Sequence, residues 1–194
     1  EARQALAHSV FNQSRELSER VSKLLQMTRL DTGAIKVERD WTSIVDIADS
    51  VVRRLSDRIA AHRLIVDMPG DLPLVRVDAA LIEQALGNLL ENAARHTPAG
   101  TAIDIAARAD EQRLTIEVAD RGPGIPEGAN ERIFGKFQRG LGVEAGGVGL
   151  GLAICRGIVD AHGGEIHAGN RRDGGSVFTV ILPREATSPS EEPG

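Results

Sequence analysis

Apolar residues over the first thirty positions recur at Val10, Leu17, Val21 and Leu24, in steps of seven, four and three, with Ser14 and Thr28 filling the same seam. That spacing predicts one long helix over residues 2–30, carrying a coiled-coil-like stripe diluted by polar residues. Gly33 stands just past its end as a stop signal. Such a helix either packs on its own domain or forms one arm of a helical dimerisation bundle. Residues 33–41 read as a short strand. Thr42 or Ser43 then caps a helix to about Ala61, with Ile44, Ile47, Ala48, Val51, Val52, Leu55 and Ile59 on its apolar face. Residues 64–66 and 74–77 are candidate strands, separated by the Pro69-Gly70 turn and Pro73.

Asp78 is placed to cap the next helix, which runs to His96 and ends before Pro98. Residues 101–109 and 113–119 alternate with period two and predict a hairpin. A glycine-rich stretch covers 120–151, broken by a short helical piece at 131–137. A helix over 150–161 and strands at 164–168 and 176–182 complete the pattern. The tail, 184–194, is rich in Pro, Ser and Glu and reads as disordered. This order predicts an α/β (α+β) fold: a two-layer sandwich of a mixed, mostly antiparallel sheet with about three helices on one face, preceded by one long helix. A doubly wound parallel sheet does not fit. The divisions are residues 1–32, the lone helix; 33–183, the domain; and 184–194, the tail.

Composition narrows the function. The 194 residues suffice for one core and an appendage. A net charge of −5 argues against a nucleic-acid partner, and any site for an anion must be built locally. The single cysteine, Cys155, excludes an internal disulfide and suits a reducing compartment. No apolar run reaches the roughly 20 residues of a membrane span. Glu1 opens the chain in mid-helix by pattern, as in a piece of a longer protein.

The candidate chemistry lies in four stretches. Two common phosphate loops fail first. In a G-x-x-x-x-G-K-[ST] loop, Gly135-Lys136 would need a hydroxyl next and a glycine five before; Phe137 and Asn130 stand there. A G-x-G-x-x-G loop fails at Glu127, and Gly147-Val148-Gly149-Leu150-Gly151 has the wrong spacing. The first real stretch is Asn88 to Thr97: Asn88 and Asn92 share a helix face, with Arg95 near it, and amides with a guanidinium suit Mg²⁺ and phosphate oxygens. Read plainly, it is a polar helix face. The second, Asp120-Arg121-Gly122-Pro123-Gly124-Ile125, follows a strand; its Asp can accept from an amino group such as that of adenine, or it is an ordinary turn. The third, Ile133 to Arg139, holds Phe134 and Phe137, which could equally be core aromatics. The fourth, Gly146 to Ile154, runs glycines into a helix N-terminus, which offers N–H groups and partial positive charge to phosphate; the plain alternative is a surface loop.

In this order the four stretches resemble the N, G1, F and G2 boxes of sensor histidine kinase catalytic domains, within the wider group of gyrase, the Hsp90 chaperone and MutL. The resemblance covers about residues 35–183 and implies a Bergerat-type ATP-binding fold. The 27–33 segment, Trp41 and residues 148–164 further resemble the potassium-responsive KdpD sensor kinases. By this resemblance ATP and Mg²⁺ are the cofactors, and Asn92 is the metal ligand. Asn88 stands where related ATPases carry a water-activating Glu; an amide lacks that basicity, which fits a kinase. Arg95 and His96 would lie near phosphates and ribose. Asp120 would read adenine, with Gly122, Gly124 and Ile125 shaping its pocket. Phe134 and Phe137 would anchor a lid, Arg139 would reach the γ-phosphate, and Gly147, Val148, Gly149, Leu150 and Gly151 would close over the phosphates. Val148 departs from the usual Thr or Ser there. Asn88, Asn92 and Arg139 are the expected catalytic residues.

The family's His-Asp/Glu-Leu-Arg-Thr-Pro box is absent: His8 is followed by Ser9-Val10-Phe11, and His62, His162 and His167 lack it too. Residues 1–32 resemble the second bundle helix, so the expected partners are ATP, the phosphoacceptor helix of a full-length kinase and a response regulator, with no nucleic acid and no membrane contact. The expected location is cytoplasmic, with a membrane-anchored parent. Competing readings are an anti-sigma-factor-type serine kinase, a non-catalytic partner-binding module with a degenerate pocket, and a water-hydrolysing ATPase.

Overall fold

The computed structural model describes residues 2–31, 35–136 and 149–185. Helix α1 (Ala2–Asp31) leads to strand β1 (Asp40–Thr42), helix α2 (Ile44–Arg54), the single turn α3 (Ser56–Ile59) and strand β2 (Arg63–Asp67). Strand β3 (Val75–Val77) pairs antiparallel with β1. Helix α4 (Ala79–His96) and the hairpin of β4 (Ala102–Ala109) and β5 (Arg113–Ala119) follow. A 3-10 turn, Arg132–Phe134, helix α5 (Gly151–Ala161), and the hairpin of β6 (Glu165–Asn170) and β7 (Ser176–Pro183) are the remaining elements among the described residues. The main sheet has the order β2-β4-β5-β7-β6; β2 runs parallel to β4 and the other neighbours are antiparallel. The expected mixed, mostly antiparallel sheet is therefore the one found.

Alternation along the strands makes the layer. Ile103, Ile105 and Ala107 of β4, Leu114, Ile116 and Val118 of β5, and Phe178, Val180 and Leu182 of β7 are buried, while the residues between them are more exposed. They form one core with Ile82, Leu86, Leu89 and Leu90 of α4 and Ile154, Ile158 and Val159 of α5. Full burial of each large aliphatic side chain contributes about 1.5–3 kcal/mol. Helices α2 and α4 have identifiable starts. Ser43 caps α2 by accepting from the Asp46 N–H, and Asp78 caps α4 by accepting from the Leu81 N–H. Helix α4 ends as Thr97 turns extended ahead of Pro98.

Three elements differ from the pattern reading. The helix expected from 43 to 61 breaks at Leu55, whose backbone leaves helical geometry (φ −98°, ψ 7°) while Leu55 and Ile59 both stay in the core. The strand expected over 33–41 shrinks to Asp40–Thr42, because β3 offers only three residues to pair with; 35–39 runs unpaired. The helical piece expected at 131–137 is the 3-10 turn. Helix α1 divides its allegiance: Val10, Phe11, Leu17, Val21 and Leu24 are exposed, whereas Met27 is buried and Leu30 packs against Gly157 of α5. Residues 186–194 of the expected disordered tail lie outside the described residues. Arg184, just before them, is tied back by its N–H to the Gln112 carbonyl at 2.8 Å.

Candidate functional site

Three of the four stretches converge at one end of the sheet. Helix α4 brings Asn88, Asn92, Arg95 and His96 along its C-terminal half. Asn88 is buried and Asn92 half-buried, while Arg95 is exposed. The start of α5 faces Asn88: a Cβ added to Gly151 would lie 3.8–3.9 Å from the Asn88 side chain. The N-cap position of α5 is Leu150, buried and without a side-chain cap for the first N–H groups of the helix. Free N–H groups at such an end suit phosphate.

Asp120, at the end of β5, is 1% exposed. Its Oδ1 accepts from the Gly122 N–H at 2.7 Å and the Ser176 N–H at 3.3 Å, and its Oδ2 accepts from the Ser176 hydroxyl. The backbone joins in, with the Asp120 N–H donating to the Ser176 carbonyl at 2.9 Å. All these donors are neutral, and among the described residues no cation pairs with the carboxylate. A carboxylate offers about four acceptor positions, so one stays open for a further donor. Gly122 passes close to α4, where a Cβ would meet the His96 carbonyl oxygen at 2.5 Å. This contact sets the Asp120 loop against the end of α4. Burial and the Arg95 charge lower the pKa of His96, with Asp120 opposing, so the imidazole is held toward its neutral form.

Ile125 is fixed by Asn170 at the end of β6: the Ile125 N–H donates to Asn170 Oδ1 at 2.6 Å, and Asn170 Nδ2 donates to the Ile125 carbonyl at 2.8 Å. Gly124 lies against the same side chain at φ +79°. Neither Asn170 nor Ser176 stands out in the linear sequence. The one signal was Asp173-Gly174-Gly175-Ser176, a pair of glycines before a strand, marking a tight turn.

Phe134 is buried, edge-on to Phe178, and carries the Arg156 guanidinium 4.3 Å above its ring. Phe137, Arg139, Gly147 and Val148 lie outside the described residues, as does the segment expected to form a lid between them. Gly149 is described, at φ +69°.

For Mg²⁺, the donor chemistry fits. Asn92 is half-buried on the Asn88 face, and no hydrogen bond reaches its amide among the described residues. Asn88 Nδ2 is buried without a partner there. Mg²⁺ takes few protein oxygens and completes its shell with phosphates and water, so an amide oxygen on the Asn88 face of α4 could serve as its one protein ligand. Among the described residues no cluster of His, Cys, Asp and Glu could form an all-protein metal cage.

Residues 77–186 match the family model described as "Histidine kinase-, DNA gyrase B-, and HSP90-like ATPase". The chain is 40% identical over 173 residues to the sensor protein KdpD of Escherichia coli K12, covering 89% of this chain and 19% of that protein. It spans about a fifth of the length of the KdpD relatives it matches. Its fold is similar to full-length ShkA solved with AMPPNP (TM-score 0.80, 29% identity, 93% of this chain and 39% of that one). It is also similar to the histidine kinase ThkA solved with the response regulator TrrA (TM-score 0.69, 26% identity, 90% of this chain and 50% of that one).

Proposed function

We propose that this chain, which belongs to the family of histidine kinase-, DNA gyrase B- and HSP90-like ATPases, is the ATP-binding catalytic domain of a sensor histidine kinase. It passes the γ-phosphoryl of ATP to an imidazole nitrogen on a separate dimerisation domain and leaves ADP behind. The observation that carries this reading is the buried Asp120 carboxylate, held by neutral donors alone with an acceptor position open. Burying a carboxylate is costly unless its lone pairs are used, and the adenine amino group supplies the missing donor.

The proposed roles are as follows. Asp120 takes the adenine amino group, with Gly122, Gly124 and Ile125 as the wall around it. The stretch from Gly149 to the α5 N-terminus at Gly151 receives phosphate oxygens, with Arg95 nearby on α4; by the family resemblance Arg139, Gly147 and Val148, outside the described residues, would add to it. Asn92 would hold Mg²⁺, which supplies neutralisation of charge on the phosphates. Asn88 lies on the same face and, being an amide, cannot act as general base toward water. The γ-phosphoryl is thereby kept for an acceptor.

Beyond the domain, residues 1–32 are the second helix of a dimerisation bundle, and the acceptor helix comes from a full-length kinase. The similarity to KdpD supports potassium or osmotic signalling for the parent protein. The ThkA–TrrA structure supports a response regulator as the next phosphoryl acceptor. Among the described residues no helix is long and apolar enough to cross a membrane; we place the domain in the cytoplasm and the anchor elsewhere in the parent.

The test is isothermal titration with a non-hydrolysable ATP analogue, with and without Mg²⁺, on the chain and on its Asp120→Asn variant. Magnesium-dependent binding that the variant loses supports adenine at Asp120. Absence of binding by the unmodified chain would overturn the reading and leave a partner-binding module as the better account.

A further inference from the structure

On the sheet face away from α4 and α5, Asp104 of β4 stands between two arginines from separate segments. Its Oδ2 accepts from Arg171 Nη1 at 2.7 Å and pairs with Arg121 Nη1 at 3.0 Å. Arg121 Nη1 also donates to the Ala102 carbonyl at 2.9 Å, and Arg171 Nη2 reaches Asp173 Oδ2 at 3.4 Å. The three side chains are 34% (Arg121), 24% (Asp104) and 20% (Arg171) exposed, against 56% and 64% for Arg108 and Asp67, another pair in the same sheet. Shielding from water makes such contacts stronger than surface ion pairs. The hydrogen bond to Asp104 raises the pKa of Arg171, with burial opposing. Arg171 Nε is buried without a partner among the described residues, so this guanidinium is held by its Nη ends.

Each arginine belongs to a segment that builds the candidate adenine pocket. Arg121 directly follows Asp120. Arg171 opens the β6–β7 turn, its N–H donating to the Gly175 carbonyl at 3.0 Å. That turn is flanked by Asn170, which clamps Ile125, and Ser176, which clamps Asp120. A single carboxylate oxygen thus joins the two segments from behind.

We propose that Asp104 is a positioning residue for nucleotide recognition: through Arg121 and Arg171 it locks the Asp120 loop to the β6–β7 turn, keeping the Asp120 carboxylate and Ile125 in register for adenine. The inference rests on the nucleotide reading above. Without the carboxylate, Arg171 keeps only its 3.4 Å contact to Asp173, the tie between the two guanidinium groups is lost, and their repulsion drives the segments apart. Asp104→Asn keeps the shape and one acceptor oxygen but removes the charge.

The experiment titrates non-hydrolysable ATP and GTP analogues, with Mg²⁺, into the unmodified chain, Asp104→Asn and Asp67→Asn, with circular dichroism confirming that each is folded. Asp104→Asn is expected to bind the adenine analogue about tenfold more weakly, the equivalent of one charge-assisted hydrogen bond lost from the frame of the pocket. Its preference for adenine over guanine falls with it, because guanine presents an oxygen where adenine presents the amino group that Asp120 reads. Asp67→Asn leaves both values unchanged. A residue that only stabilised the fold would lower the melting temperature and leave the preference intact. If Asp104→Asn does not fold, Arg121→Gln, which cuts one tie and keeps the other, is read in the same way. Unchanged affinity and preference in the folded variant overturn the inference while the nucleotide reading stands; failure of the unmodified chain to bind either analogue overturns both.

Discussion

Two adjacent glycines in the β6–β7 turn allow backbone strain and close packing to be separated. Gly174 and Gly175 both adopt positive φ, at +90° and +92°. A side chain there costs about 1–2 kcal/mol from the left-handed backbone, offset by about 0.4–1 kcal/mol of unfolded-state entropy that alanine removes. Their surroundings differ. A Cβ on Gly174 meets nothing within 4 Å, whereas on Gly175 it would sit 2.0 Å from the Asp120 carbonyl oxygen and 2.7 Å from Arg121 Cα. Both neighbours are backbone, so the Asp120 loop must retreat by about 1 Å before the contact becomes tolerable. That retreat pulls on the Asp120 N–H to Ser176 carbonyl bond and on the three donors to the carboxylate. Gly174→Ala should therefore lose about 1 kcal/mol, and no more than about 1.6 kcal/mol. Gly175→Ala should lose about 3 kcal/mol or more, as backbone strain, overpacking and disturbed hydrogen bonds combine. Urea unfolding followed by circular dichroism measures both, and titration with the ATP analogue reports whether the pocket moves with the loop. Equal losses in the two variants, or full affinity in Gly175→Ala, would refute the claim that Gly175 sets the position of Asp120.

Asn170→Ala removes both bonds to Ile125 and strands a buried N–H, so it should cost about 1–3 kcal/mol and weaken the ATP analogue several-fold; lost stability with unaltered affinity would show that the clamp does not shape the pocket. His162 is buried, with Nδ1 donating to the Ile158 carbonyl at 2.8 Å and Nε2 accepting the Asp78 N–H at 3.0 Å. Burial, aided by Arg39 and opposed by Ile158 and Asp78, lowers its pKa below 6.5. The unfolded chain therefore takes up this proton first, and stability present above about pH 6.5 is lost as pH falls toward the folded value. The urea midpoint of the unmodified chain should drop between about pH 7.5 and 5.5, and more steeply than that of His162→Gln; His96, shifted the same way, accounts for the slope that remains. Mass spectrometry after incubation with ATP should find no phosphohistidine on this chain alone, and a strong signal at His8 would contradict the need for a separate acceptor helix.

The legible parts of the fold were those decided locally. The hairpin at 102–119 could be read from alternation because each strand has one buried face. The starts of α2 and α4 could be read because Ser43 and Asp78 cap within their own first turns. Strand β1 could not be bounded, because its length depends on a partner of three residues some thirty positions away. Nor could the break at Leu55, where no Gly or Pro intervenes. The site divided in the same way. Asn88, Asn92 and Asp120 sit in recognisable strings, but Ser176 reaches Asp120 only because β7 pairs with β5 in the register Ala119↔Val177. Asn170 comes to the same end of the sheet because β6 pairs with β7 as Asn170↔Ser176. Residues recruited through register leave no mark along a single strand of sequence.

The distribution of unmet polar groups joins these two halves of the site. His162, buried in the body of the domain, has both ring nitrogens partnered. By contrast, Asn88 Nδ2, Thr97 Oγ1, His62 Nδ1 and Arg171 Nε are among the buried polar atoms without a partner among the described residues. Asn88 faces the start of α5; Thr97 follows His96, whose carbonyl touches the Asp120 loop; Arg171 braces the turn behind Asp120. Each such group costs roughly 1–3 kcal/mol, and folded domains satisfy most of them. A core built only for stability would have placed apolar atoms at these positions, as it does at Leu89 and Ile154. Asn88 Nδ2 and Thr97 Oγ1, on the second half of α4 and just past its end, are where a bound nucleotide would complete the hydrogen bonding.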